Sequence, residues 1–427
     1  MRRNVVIVDG VRTPYCRANT DFRKLSAADL GRIAAAEALA RTGFSAEHLE
    51  EVIFGNIATP ADAANIARVI ALRAGIPPQV PAFTVGRNCG SGAESIADGF
   101  LRIRSGVNDA ILAGGVESMS SIPLLYSEAA KEKFFRVFSA KSARARLASA
   151  MKFRLSDFRP VIGLEQGLTD PVCGLNMGQT AELLAKEFHL SRDEQDAFAL
   201  RSHQRAAAAR AKLAEEIVPV PLPPDYNRLS LEDNGIRENQ TIEALAKLKP
   251  YFDRKFGTVT AGNSSQITDG AAAVLLTSED AARGLGLKPL GRILSFGFAG
   301  LDPARMGLGP VFATPIALKR AGVDWKDIGL VEINEAFAAQ ALACEKAWSS
   351  PSFAKENGFD RPIGDFDWDK ANVNGGAIAL GHPVGSTGTR LVLTLLKEMR
   401  RRNISLGLAT MCIGGGQGGA VVVEALP

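Results

Sequence analysis

Ala38-Leu39-Ala40-Arg41-Thr42-Gly43-Phe44, followed by Leu49 and Val52, returns later in the chain as Ala317-Leu318-Lys319-Arg320-Ala321-Gly322-Val323, followed by Ile328 and Val331. The Ala-Leu pair, the arginine, the glycine and the later apolar residues keep one spacing in both copies. Each copy spells a helix, a glycine able to take a left-handed cap, a short link and a strand. A looser pair sets Gly90-Ser91-Gly92 and its following helix pattern against Gly385-Ser386-Thr387-Gly388 and its own. A duplicated α/β half therefore accounts for 427 residues without unrelated domains.

Outward from the repeat, strand-like runs at Val5–Val8, Val52–Phe54, Ala110–Ala113, Ile293–Phe296, Val331–Ile333 and Gly407–Thr410 alternate with helical patterns such as 27–41 and 91–104. That alternation predicts an α/β layered fold with mostly parallel pairing. Between the halves lies a different stretch, 119–255, with long helical patterns and the cluster Pro219, Pro221, Pro223 and Pro224, which neither regular helix nor central strand accepts. The division is a first part of the N-terminal half over 1–118, an inserted loop domain over 119–255, a return to the N-terminal half over 256–285 and the C-terminal half over 286–427. Within the insertion, Lys131, Lys133, Arg136, Lys141, Arg144, Arg146, Lys152, Arg154 and Arg159 interleave with Phe134, Phe135, Val137, Phe138, Leu147, Met151 and Phe153. Residues 127–159 are thus both basic and amphipathic.

Apolar residues at 46% and charged residues at 22% describe an ordinary folded protein. A net charge of +4 over this length gives no argument for nucleic acid. Five scattered cysteines form neither a disulfide framework nor a Cys-x-x-Cys metal pair, which fits a reducing compartment. Met1-Arg2-Arg3 runs straight into Val5–Val8, and Glu424-Ala425-Leu426-Pro427 matches no simple targeting tail, so the expectation is a cytoplasmic protein.

Three glycine-rich junctions carry candidate chemistry. In Arg87-Asn88-Cys89-Gly90-Ser91-Gly92, a thiol stands at the start of a helix, where the positive end of the dipole favours thiolate. In Asn374-Gly375-Gly376-Ala377-Ile378-Ala379-Leu380-Gly381-His382-Pro383-Val384-Gly385, glycines pack backbone around one histidine able to accept that proton. His48, His189 and His203 lie in ordinary contexts and are read as surface residues. Cys412-Ile413-Gly414-Gly415-Gly416-Gln417-Gly418-Gly419 lacks the lysine and following helix of a phosphate loop; Ala420–Val423 after it looks like a strand. Close approach of free N–H groups to a developing oxyanion is the alternative.

With Asn334-Glu335-Ala336-Phe337-Ala338, Ala261-Gly262-Asn263-Ser264-Ser265 and Asp269-Gly270-Ala271-Ala272, these motifs resemble the thiolase family, in the family's order and over nearly the whole chain. The resemblance implies a five-layered α/β/α/β/α core from two related halves with an inserted helical loop domain. It implies that Cys89 forms the acyl-enzyme, His382 activates it and Cys412 moves the proton of the acetyl-CoA α-carbon. Asn334, through a water, would form one oxyanion hole with His382, and the N–H groups of Cys89 and Gly414 the other. Arg237 would meet the adenine or phosphate end of CoA and Ser265 the pantetheine arm. No metal or tightly bound cofactor is implied; CoA and acyl-CoA are substrates.

The implied activity is 3-ketoacyl-CoA cleavage in fatty-acid β-oxidation. The alternatives are a biosynthetic acetoacetyl-CoA thiolase and a non-catalytic acyl-CoA binding relative. Short-chain acetoacetyl-CoA thiolases commonly show a histidine where Asn176 precedes Met177-Gly178, which favours longer acyl chains here. The basic stretch is similar to that of the thiolase β-subunit of trifunctional-type β-oxidation complexes. It offers a surface for a membrane, for an α-subunit with hydratase and dehydrogenase activities, or for CoA phosphates. A homodimer or homotetramer is implied.

Overall fold

The computed structural model describes residues 3–426; Met1, Arg2 and Pro427, which entered the reading of the chain ends, lie outside the described residues. Both copies of the repeat fold element for element. Helix Ala27–Thr42 stops at Gly43 (φ 64°) and helix Gly309–Ala321 at Gly322 (φ 72°). A single 3-10 turn follows each, Ala46–His48 and Trp325–Asp327, and then strands Glu51–Gly55 and Leu330–Ile333. Only a residue free of Cβ crowding takes that left-handed cap cheaply, and this fixes where the two helices end.

Ten strands form one mixed sheet. From edge to edge it runs Leu330–Ile333, Leu406–Ile413, Gln417–Ala425, Gly291–Gly300, Val5–Arg12, Thr268–Ser278, Ala110–Ser118, Glu51–Gly55 and Ala82–Val85, with Cys16–Arg17 paired to Thr268–Ser278. The halves meet where Val5–Ile7 pair antiparallel with Gly291–Ile293. Outward from that seam, each half pairs antiparallel, antiparallel, parallel and parallel; the last step in the C-terminal half is a bridge from Val331 to Ala371. Mostly parallel pairing is therefore wrong. Crossover helices join only the outer strands of each half, while the inner strands return antiparallel.

Alternate residues of each strand face opposite layers. On one side of the N-terminal half, Phe54, Leu112 and Leu275 pack with Leu30 and Ala34 of helix Ala27–Thr42 and with Ile70. Their neighbours Ile53, Ile111 and Val274 face a central core with Ile96 and Phe100 of helix Ser91–Ser105 and Leu391 and Leu395 of helix Thr387–Arg402. Met411 and Val421 enter that core from the other half, whereas Leu408 and Val422 face the outer helices Gly309–Ala321 and Ala338–Ser349. Outer helices, the N-terminal half of the sheet, the central helices, the C-terminal half of the sheet and the outer helices beyond it are the five layers.

The two central helices start against each other. A Cβ on Gly92 would sit 2.7 Å from the Thr389 amide nitrogen, so glycine is what lets these N-termini meet. Part of the insertion lies on the opposite half of the molecule: Ala181, Leu184 and Ala185 of helix Met177–Glu187 join the outer core of the C-terminal half.

Candidate active site

Cys89 ends the turn before helix Ser91–Ser105, whose N-cap is Gly90. Asn88, at φ 42°, donates from Nδ2 to the Gly414 carbonyl at 2.7 Å, and a Cβ on Gly90 would meet Ile413. The Cys89 turn is therefore seated on the Ile413-Gly414 turn. Arg87 braces the junction, pairing with Glu94, donating to Gln417 Oε1 at 3.0 Å and lying 4.2 Å over the Phe298 ring. The N–H groups of Gly414 and of Cys89 itself favour the Cys89 thiolate. Burial outweighs them and pushes the thiol up, with the charge of Glu117 adding to the rise. Burial thus outweighs the donors around the sulfur at rest, and the thiol needs a base to become a thiolate, the part the sequence offered to His382.

His382 is the candidate base. Its Nδ1 lies 2.6 Å from Thr387 Oγ1, and that hydroxyl donates its single proton to the Pro383 carbonyl at 3.0 Å. The hydroxyl must then accept from Nδ1–H, which places the ring's free lone pair on Nε2. Burial, assisted by the charge of Arg390, pushes the imidazole down to about 3, so the base is neutral. Asn334 Nδ2 lies 3.4 Å from Nε2, and Asn334 Oδ1 is buried without a protein partner. Asn334 itself is held by its amide on the Thr410 carbonyl at 2.9 Å, two residues from Cys412.

Cys412 is fully buried in strand Leu406–Ile413. Burial and the nearby sulfurs of Cys89 and Cys344 hold its proton on. The three junctions from separate parts of the chain therefore put a partly exposed thiol, a neutral imidazole, a buried thiol and the Gly414 N–H in one place.

Ser265 is partly exposed beside this group, its amide on the Ala336 carbonyl at 2.9 Å. Arg237 stands on the surface, outside the cluster, but its segment is tied in. Gln266 donates to the carbonyls of Gly235 and Ile378, both at 3.0 Å, and accepts from the His382 amide at 3.3 Å. His203 is not a surface residue as read: it is buried, with Nδ1 accepting the Arg237 amide at 3.2 Å. His48 and His189 are exposed. Asn176 caps helix Met177–Glu187 by accepting the Gln179 amide at 2.9 Å, which brings Met177 against Gly414.

Two carboxylates escaped the sequence reading. Glu335 is buried and accepts Ser202 Oγ at 2.6 Å, Asn372 Nδ2 at 2.7 Å and the Ile378 amide at 3.3 Å, joining the insertion to the loop that leads to His382. Glu117 is buried on the other side of that loop.

Two family descriptions match the chain: thiolase, N-terminal domain, over residues 5–280, and thiolase, C-terminal domain, over 287–425. A 3-ketoacyl-CoA thiolase of Yersinia pestis is 43% identical over 424 residues, 98% of this chain and 96% of the relative. The crystal structure of human mitochondrial 3-ketoacyl-CoA thiolase in complex with CoA superposes with a TM-score of 0.85 at 38% identity, covering 100% of this chain and 98% of that one. The Bacillus anthracis acetyl-CoA acetyltransferase superposes at 0.88 with 36% identity, covering 100% and 99%.

Proposed function

The chain belongs to the thiolase family and is an acyltransferase, and on that premise we propose that it cleaves 3-ketoacyl-CoA with CoA to acyl-CoA and acetyl-CoA through an acyl-enzyme on Cys89. The observation that carries this reading is the pairing of two differently placed thiols across the Gly414 turn, with a neutral imidazole tied through Asn334 to the strand of Cys412.

In the forward direction His382 Nε2 takes the Cys89 proton as the sulfur attacks the 3-keto carbonyl. The resulting oxyanion lies by the Cys89 and Gly414 N–H groups, the donors that already favour charge on the sulfur. Collapse breaks the bond between the carbonyl carbon and the α-carbon, leaving an acetyl-CoA enolate that takes its proton from Cys412. Its thioester oxygen is stabilised at His382 Nε2 and Asn334. CoA then gives its thiol proton to the Cys412 thiolate as its sulfur attacks the Cys89 thioester; acyl-CoA leaves, and the Cys89 thiolate takes back the proton held on His382. Charge develops on two different oxygens in the two halves of the reaction, so two separate donor sets are required.

CoA is held by the face that carries Ser265 and Arg237, and the buried His203 under the Arg237 amide keeps that segment in place. A homodimer or homotetramer is the working assembly. The partner of residues 127–159 is an anionic lipid surface: nine basic side chains there oppose Glu128, Glu132 and Asp157, an excess greater than the +4 of the whole chain. Among the described residues no helix is long and apolar enough to cross a membrane, so contact would be peripheral.

Condensation of acetyl-CoA is the second reading, favoured by the fit to the Bacillus anthracis acetyl-CoA acetyltransferase. The test is CoA-dependent cleavage of 3-ketoacyl-CoA of short, medium and long chain by the wild type and by Cys89→Ala. Turnover that rises with chain length and vanishes in the variant is expected. Activity confined to acetoacetyl-CoA would select the second reading; none with any chain would overturn both.

A further inference from the structure

Glu117 lies at the end of strand Ala110–Ser118, in a run otherwise made of small and apolar residues, and it is buried. Its four hydrogen bonds all come from N–H donors. Oε1 accepts Asn56 Nδ2 at 2.9 Å and the Ala58 amide at 3.0 Å, and Oε2 accepts the Ile57 amide at 3.2 Å and the Gly385 amide at 3.0 Å. An ionised carboxylate, which only accepts, matches such a set; a neutral acid or an amide would turn a donor against a donor. Three of the donors belong to the segment after strand Glu51–Gly55, and the fourth belongs to the histidine loop of the other half.

The position of Gly385 explains why that fourth bond matters. A Cβ there would sit 2.5 Å from the Val116 carbonyl oxygen, so the loop rests directly on the strand end with no side chain between. The next residue, Ser386, is tied to the Tyr15 hydroxyl at 2.7 Å, and the one after it, Thr387, is the residue whose hydroxyl fixes the His382 ring. Glu117 is therefore linked by a short run of hydrogen bonds and peptide bonds to the base, and its charge is felt at the Cys89 sulfur. It touches no reacting atom.

We propose that Glu117 is a positioning residue for acyl transfer: its carboxylate latches Gly385, and through Thr387 the His382 ring, to the half that carries Cys89. The inference rests on the roles of Cys89 and His382 proposed above. An amide at 117 keeps the shape of the side chain but presents two N–H groups where only acceptors fit, so the loop would part from the strand end. Aspartate keeps the charge but shortens the reach.

The experiment compares wild type, Glu117→Gln and Glu117→Asp in kcat and KM for 3-ketoacyl-CoA cleavage, and in the pH dependence of Cys89 alkylation by iodoacetamide, with thermal melting as the folding control. For the amide, kcat should fall by about 10- to 100-fold with KM changed by less than about twofold, the pattern of lost alignment rather than lost binding. Its alkylation midpoint should move to lower pH, since a negative charge near the sulfur has gone. Aspartate should lower kcat and leave the alkylation midpoint in place. If the amide variant does not fold, the aspartate variant decides alone. An inactive wild type would overturn the function; an active wild type matched within about threefold by the variants, or a KM that rises in step with the fall in kcat, would overturn the latch.

Discussion

The same connection is made twice in this molecule, in very different lengths. In the C-terminal half, strand Leu406–Ile413 returns antiparallel as Gln417–Ala425 through only Gly414, Gly415 and Gly416. In the N-terminal half, the equivalent strands Ala110–Ser118 and Thr268–Ser278 are also antiparallel neighbours, yet residues 119–267 lie between them. Gly415 (φ 86°) and Gly416 (φ 72°) make the short version feasible, because two successive left-handed residues reverse the chain at once. The short turn can present little except backbone N–H groups and the side chains at the end of the strand before it, Cys412 among them, which is what the proposed proton transfer and oxyanion binding need. The long connection can build surface, and it holds Arg237, the Asn176 cap and the basic segment. On the roles proposed above, a duplicated fold separates chemistry from recognition by the length of one loop.

That separation breaks most visibly at Cys412. Cys412→Ala should reduce carbon-carbon cleavage by about 10³-fold or more, the upper part of the range for a positioned acid. It should leave Cys89 able to exchange its acyl group, so transfer of label between acetyl-CoA and free CoA persists, whereas Cys89→Ala loses both. Equal loss of exchange and cleavage in Cys412→Ala would show that the short turn does not divide the two half-reactions. At the long connection, Arg237→Ala should raise KM for CoA by about 3- to 10-fold with kcat held, the mark of binding shared by ground and transition states. A fall in kcat with KM unchanged would place chemistry on the insertion and blur the division.

Much of this was legible because local rules and global fold agree in the repeat. Gly43 and Gly322 announce helix ends from spacing alone, and each is the left-handed cap expected. Strand direction was not legible. Alternation of strand and helix speaks for parallel pairs, but it is silent about Thr268–Ser278, which reaches its neighbours only after the insertion. Cys89, His382 and Cys412 stood out in the sequence because glycines crowd around each of them. The carboxylates that hold their loops were missed for the opposite reason: Glu117 and Glu335 sit in segments read for their apolar pattern or for a neighbouring residue. A single charged residue in the buried run from Ile111 to Val116 and beyond was the available signal for Glu117, since an unsolvated carboxylate must be repaid in hydrogen bonds. His203 misled because the helix Arg192–Ala208 has an ordinary polar pattern; the buried face that takes His203 is made by other parts of the chain.

The smallest effect on catalysis belongs to the most exposed part of the insertion. Tyr126, Phe134, Phe153 and Phe158 gather in a small, half-exposed aromatic cluster, with Phe134 and Phe153 centroids 4.8 Å apart, and Lys133 pairs with Asp157 at 2.6 Å. Helices Glu128–Ser139 and Ala143–Ala150 flank that cluster, while Phe135, Phe138, Leu147 and Met151 face outward, Phe138 with 76% of its surface exposed. Long apolar side chains left exposed around a small aromatic cluster, among Lys and Arg heads, fit insertion between anionic lipid headgroups. Phe135→Ser combined with Phe138→Ser removes the apolar anchors without touching the aromatic stack, so kcat and KM should remain within about twofold of wild type. Flotation with vesicles containing anionic phospholipid should carry the wild type, lose it as salt screens the charges, and fail for the double variant. Binding to purely neutral vesicles, or undiminished flotation of the double variant, would rule out this surface. Failure of the wild type to float on any vesicle would leave the exposed phenylalanines to a protein partner, and the long connection would then recognise another subunit in place of lipid.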